Sequence, residues 1–239
     1  MPCIPQHFEF IDARSMSAAL ADAIEQEAKS ALLRRGVFTL CLAGGSSPRQ
    51  AYEMLAGKDL PWRDIHLFFG DERLVFPCHG WSNFRMARKA LFDRIEIPSA
   101  NVHRMRGEMN SAAAAARDYE RRLRAFFGLG ASLPEFDVCL LGLGPDGHTA
   151  SLFPGHAVLE ETEAWVVGVE EPTLPPAVRR ISLSLPALNA SKKIFFATSD
   201  CGKQPLVETI LTNRTAVTRR YPAARVQARD VVWFTTQQL

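Results

Sequence analysis

Short apolar runs alternate with longer amphipathic stretches along most of the chain. Residues 8–11 read as a strand. Ser15 reads as the N-cap of a helix, with Leu20, Ile24, Ala28, Ala31 and Leu32 at helical spacing up to a stop at Gly36. Residues 37–42 form a continuous apolar run that predicts a buried strand. The turn at 44–48 follows, and Pro48 suits the first position of a helix over 49–56. The next strand is expected at 65–69. A loop rich in Pro, Gly and Cys leads to a helix over 82–92, a short strand at 101–104 and a helix over 111–127 that contains the Ala run 112–116. Residues 136–141 read as a strand running into a glycine-rich segment at 142–147. A short helix is expected after it, ended by Pro154 and Gly155. Strands are expected at 165–169, 180–185, 193–198 and 231–235, with a helix near 203–211.

Strand–helix alternation at this spacing predicts an α/β fold with a largely parallel sheet. No interdomain linker interrupts it. The proline-containing stretch 171–176 is short and reads as a loop, so residues 1–239 are expected to form a single domain. Ligands in open α/β sheets bind beyond the carboxyl ends of strands. That rule selects residues 43–48, 70–75, 142–151 and 199–203, each of which places glycine, hydroxyl or charged side chains where an apolar run ends.

Composition narrows the function class. Hydrophobic residues make up 47% and charged residues 23%, as in ordinary globular domains, which excludes a disordered or fibrous chain. A formal charge of +2 is too balanced for a dedicated nucleic-acid binder. No apolar run approaches the ~20 residues that span a bilayer, and the first 14 residues lack a secretory pattern, so a cytoplasmic protein is expected. The 5 cysteines are scattered without a C-x-x-C pair, and Cys41 and Cys139 lie in apolar runs, so they read as reduced, buried side chains.

Three of the strand-end segments carry candidate chemistry. In Gly44-Gly45-Ser46-Ser47 the glycines let backbone approach a ligand, while two hydroxyls and a helix start face it, as in an anion cradle. No Lys follows at P-loop spacing. Asp71-Glu72-Arg73 is a charged run at a strand end. Gly142, Gly144 and Gly147 spell G-x-G-x-x-G, but Pro154-Gly155 leaves no room for the long helix of a dinucleotide site, and the nearest acidic residue closing a strand, Glu170, comes too late. The same segment offers His148, a suitable general base at neutral pH, with Asp146 close enough in sequence to orient it. There is no G-x-S-x-G elbow and no metal-binding His pair, so water activated by a base is the simplest scheme.

These segments resemble one known family. Residues 43–48, Gly70-Asp71-Glu72-Arg73, Ser82-Asn83-Phe84-Arg85-Met86-Ala87, Asn101-Val102-His103-Arg104, residues 142–154, 180–188 and Gly202-Lys203 together are similar to the bacterial-type 6-phosphogluconolactonases, in order from about residue 8 to 235. The segment Asp146-Gly147-His148-Thr149-Ala150-Ser151-Leu152-Phe153-Pro154 is the most specific. Ser47 and Ser182 stand where Thr is usual in that family, and both keep the hydroxyl.

The resemblance implies a single Rossmann-like domain with a mostly parallel, mixed sheet flanked by helices. It implies hydrolysis of 6-phospho-D-glucono-1,5-lactone, a sugar-phosphate substrate, with no organic cofactor and no metal. His148 is the expected base, Asp146 its orienting carboxylate and Asp71 the reserve base. Backbone N–H groups at 147–151 are expected to stabilise the oxyanion. Gly44, Gly45, Ser46, Ser47, Arg73, Arg180 and Lys203 are the expected phosphate ligands, with Arg85 a weaker candidate. Two alternatives share the fold. A glucosamine-6-phosphate deaminase would carry an Asn-Glu-Pro segment where this chain has Ser151-Leu152-Phe153-Pro154, without a carboxylate. A sugar-phosphate-sensing module would carry a helix-turn-helix, for which the chain has no spare length.

Overall fold

Six strands of four to seven residues pair side by side, all parallel, to form the central sheet of the computed structural model, which describes residues 5–237. In chain order the elements are β1 (Gln6–Phe10), α1 (Ala13–Arg35), β2 (Phe38–Leu42), α2 (Ser46–Leu55), β3 (Ile65–Phe69), β4 (Asp71–Arg73), α3 (Asn83–Ala90) and α4 (Ala112–Phe127). There follow β5 (Val138–Leu141), β6 (Val166–Val169), β7 (Arg180–Leu183), α5 (Leu185–Asn189), β8 (Lys193–Thr198), α6 (Gln204–Thr212), α7 (Arg214–Val217) and β9 (Asp230–Thr236). The sheet runs β1-β9-β8-β5-β2-β3. β2 and β5 are buried along their whole length, as expected of parallel strands covered on both faces.

The chain leaves β2 for β3 on one side and returns to β5 on the other. The loops after β2 and β5 therefore diverge, and a crevice opens between them where ligands bind in such sheets. The ends of β8, β5, β2 and β3 lie together on this edge. The antiparallel pairing stands apart as a second sheet, β4-β7-β6. It joins the first through Gly70, whose carbonyl accepts from the Leu183 N–H at 2.8 Å. α4 packs on β6 so closely that a Cβ on Gly168 would lie 2.7 Å from the Ala112 backbone.

Several local expectations change. The N-cap of α1 is Asp12, which accepts from the Ser15 N–H at 2.7 Å, while the Ser15 hydroxyl returns to the cap backbone as the other half of a capping box. α2 begins at Ser46, so Pro48 is its third residue. Residues 101–104 are no strand: only Val102 bridges to Leu67. Residues 147–151 are a chain of turns, not a helix: Gly147 at φ +80° and Ala150 at φ +48° leave the right-handed helical region. The polar run 71–73, expected as a loop, is β4. Cys41 and Cys139 are buried, Cys78 and Cys201 are exposed, and Cys3 lies outside the described residues. No helix among the described residues is long and apolar enough to cross a membrane.

Candidate active site

Gly44, Gly45, Asp71, Arg73, His148, Arg180 and Lys203 line one cavity of about 360 Å³ at the sheet's carboxyl edge, together with Gly142, Gly144 and the 174–175 loop. Sequence reasoning therefore collected residues from five separate segments that the fold brings together. Three expected residues do not line this cavity. Asp146 backs His148, Ser46 is exposed to solvent, and the Ser47 hydroxyl is spent on the neighbouring loop. It pairs with the Ser199 hydroxyl at 2.8 Å and accepts the Ser199 N–H at 2.9 Å. Arg85 does not line the cavity.

The glycine loop is an open helix start. Gly45, at φ +108°, caps α2 without any side-chain hydrogen bond. The N–H groups of Gly44, Gly45, Ser46 and Ser47 meet no acceptor among the described residues. Such a start attracts anions through its N–H groups and the helix dipole.

Strand alternation sorts the charged run of β4. Asp71 and Arg73 point one way, into the cavity, and Glu72 points the other, against α3. Burial pushes the Glu72 carboxyl up to about 7, against the N–H groups of Phe84, Asn83 and Arg73 that it accepts at 2.7–2.9 Å. Glu72 thus clasps the start of α3. Asp71 has both carboxylate oxygens occupied: the Ser151 hydroxyl donates to Oδ2 at 2.6 Å and Asn83 Nδ2 donates to Oδ1 at 3.0 Å.

On the antiparallel partner β7, Arg180 stands directly opposite Arg73, and Ser182 opposite Asp71. Like charges facing each other across strands are destabilising. Burial lowers the Arg180 pKa from its ordinary value, Asp71 opposes that shift and Arg73 adds to it. Arg180 is held by the Leu174 and Pro176 carbonyls at 3.4 and 3.2 Å, with its guanidinium over the Phe153 ring. Arg73 donates to the Trp81 carbonyl and to Asn83 Oδ1. Yet Nε of both arginines is buried without a partner among the described residues. An unsatisfied buried donor costs about 1–3 kcal/mol, so both arginines are held in place at a cost. Lys203 Nζ reaches the Leu143 carbonyl at 2.8 Å on the same rim.

His148 sits on Gly144, where a Cβ would lie 2.0 Å from its Nδ1. Its ring packs against Phe153 with centroids 4.6 Å apart, and Nδ1 meets Asp146 Oδ1 at 2.6 Å. Burial works against the Asp146 charge, but the bonds from the His148 ring and backbone outweigh it and hold the carboxyl below its ordinary value. An ionised Asp146 accepts only, so Nδ1 carries the proton and Nε2 presents a lone pair. Gly147, at φ +80°, packs beneath Tyr221, and its carbonyl accepts the Ala223 N–H.

The oxyanion site expected at 147–151 is open only in part: the Ala150 N–H meets no acceptor among the described residues, and Ala150 lines the cavity. The N–H groups of Gly147, His148 and Ser151 already serve Gly144, Asp146 and Ser182. Sequence reasoning also gave no role to Asn83 or Phe153. Both stand in segments it singled out, but only the three-dimensional pairing shows what they touch.

Comparison with known proteins bears on this cleft. Residues 11–233 match the family model described as glucosamine-6-phosphate isomerases/6-phosphogluconolactonase. A protein of Nostoc sp. named 6-phosphogluconolactonase is 35% identical over 93% of this chain and 91% of its own length. One of the same name from Rattus norvegicus is 37% identical over 94% of this chain and 88% of its own length. The crystal structure of 6-phosphogluconolactonase from Thermotoga maritima superposes with a TM-score of 0.83, 30% identity, 98% of this chain and 100% of the other covered.

Proposed function

From the premise that the chain belongs to the glucosamine-6-phosphate isomerase/6-phosphogluconolactonase family, we propose how its cleft performs the lactonase reaction. That reaction is hydrolysis of 6-phospho-D-glucono-1,5-lactone to 6-phospho-D-gluconate, a step of the pentose phosphate pathway. His148 Nε2 takes a proton from water as the water oxygen attacks the C1 carbonyl. The tetrahedral intermediate collapses by breaking the bond from C1 to the ring oxygen, and the imidazolium returns its proton to that oxygen. Asp146 holds the tautomer and stabilises the imidazolium. General-base help is worth ~10²–10⁴-fold, sufficient for a lactone that already hydrolyses in water.

The phosphate is assigned to the N–H groups of Gly44, Gly45, Ser46 and Ser47 together with Arg73, Arg180 and Lys203. Ser46 and Ser47 act there through backbone alone. Asp71 serves as a fixed acceptor for a lactone hydroxyl. Its two oxygens already accept hydrogen bonds, which suits an orienting carboxylate better than a proton acceptor. The whole of residues 1–239 is proposed to act as one domain.

One observation carries the reading: a His148 imidazole poised by Asp146 shares a cavity with two opposed arginines and the uncapped start of α2. A deaminase reading lacks its acid, because Leu152 and Phe153 are wholly buried apolar groups and Ser151 is bound to Asp71. Purified protein tests this directly. It should accelerate proton release from freshly made lactone and release no ammonia from glucosamine 6-phosphate. Ammonia release without lactone turnover would reverse the assignment.

A further inference from the structure

Asn83 is the first residue of α3, and its side chain is 2% exposed. Nδ2 donates to the Asp71 carbonyl at 2.9 Å and to Asp71 Oδ1 at 3.0 Å, while Oδ1 accepts from Arg73 Nη1 at 2.7 Å. The amide cannot be turned round, because Arg73 offers only donors and the Asp71 oxygens only acceptors. The third neighbour is the glycine loop: a Cβ on Gly44 would lie 2.1 Å from Asn83 Oδ1. The backbone around this side chain is itself held, since Glu72 accepts the Asn83 and Phe84 N–H groups and the Ser82 hydroxyl. One carboxamide therefore touches an acid, a base and a backbone loop of the cleft. Of the common side chains only a short amide donates to one charge and accepts from the other at this reach.

We propose that Asn83 is a positioning residue for the lactonase reaction: its carboxamide fixes the Asp71 carboxylate relative to the Arg73 guanidinium on the cleft wall. The proposal rests on the reading that Asp71 orients the lactone and Arg73 holds its phosphate. Asn83 touches neither substrate nor water in this account and acts only through those two groups.

Two substitutions separate its halves. Asn83→Asp keeps an acceptor for Arg73 and loses the donor to Asp71, placing two carboxylates together. Its KM should stay close to wild type while kcat falls ~10–100-fold near pH 7.5, the range of a lost charge-assisted bond. The ratio of its rate to the wild-type rate should rise on acidification, when a shared proton restores a donor between the two acids. Asn83→Ala loses both contacts, so kcat and KM should both worsen, each by about tenfold or more. Initial rates on fresh lactone from about pH 5.5 to 8, with melting curves, read these effects.

A lowered melting temperature with kinetics and rate ratio unchanged in folded protein would show a structural role only and overturn the proposal. If Asn83→Asp does not fold, calorimetry of 6-phosphogluconate on Asn83→Ala decides, and unchanged affinity overturns the link to Arg73. His148→Ala is measured alongside. Its inactivity beside fully active Asn83 variants would refute Asn83 alone, whereas an active His148→Ala would refute the site reading beneath it.

Discussion

In His148 one ring nitrogen is bound to Asp146 at 2.6 Å, so the chemistry falls to the other. That division depends on Asp146 being an acceptor with no proton of its own. An Asn at 146 can turn its NH2 toward Nδ1 and move the ring proton to Nε2, leaving no lone pair for water. Asp146→Asn should therefore lower kcat by roughly 10²–10⁴-fold, the worth of general-base help, with KM and circular dichroism little changed. A variant turning over near the wild-type rate would deny Asp146 the orienting role. The His148–Asp146 pair was legible in the chain because the two residues lie close together in one segment. Asn83 was not, because its partners Asp71 and Arg73 reach it only after β4 lies against α3.

At the scale of elements, periodicity made the long pieces readable and the short ones not. β3 and β8 fall where the apolar runs stand, and α4 starts after Ser111, whose hydroxyl caps it. β4 escaped because three charged residues carry no apolar signal, although its alternation is what divides Asp71 and Arg73 from Glu72. The short helix expected before Pro154 failed because Gly147 and Ala150 adopt positive φ, +80° and +48°, which a right-handed helix does not admit. The glycines of that segment have another use: Gly144 leaves space for the imidazole. Gly144→Ala should push His148 aside and cost about 10²-fold in kcat, the order expected for a misplacement near 1 Å. Steady-state kinetics beside a melting curve would check it, and unchanged kcat would show that the ring can sit elsewhere.

On the scale of the whole molecule, the parallel sheet gathers four loop ends at one edge, and a histidine pair outside the cavity makes stability depend on pH. His66 Nδ1 and His103 Nε2 lie 3.1 Å apart, stacked among Phe68 and Phe126. Burial, with His66 and Arg122 adding to it, lowers the His103 pKa to about 4 from an ordinary 6.5, and burial lowers that of His66 as well. Between those values the unfolded chain binds the proton that the folded protein refuses. The stability from this pair is thus complete above about pH 6.5 and is lost as pH falls toward 4. Urea midpoints at about pH 7 and pH 5 should fall less in His103→Phe than in wild type, and equal slopes would contradict the assignment. Whether His148 drives lactone hydrolysis in this cleft is measured by proton release from fresh lactone by folded wild type, His148→Ala and Asp71→Asn. His148→Ala should fall close to the spontaneous rate while Asp71→Asn retains a measurable fraction of turnover. Near wild-type turnover by His148→Ala with loss in Asp71→Asn would contradict His148 as the base.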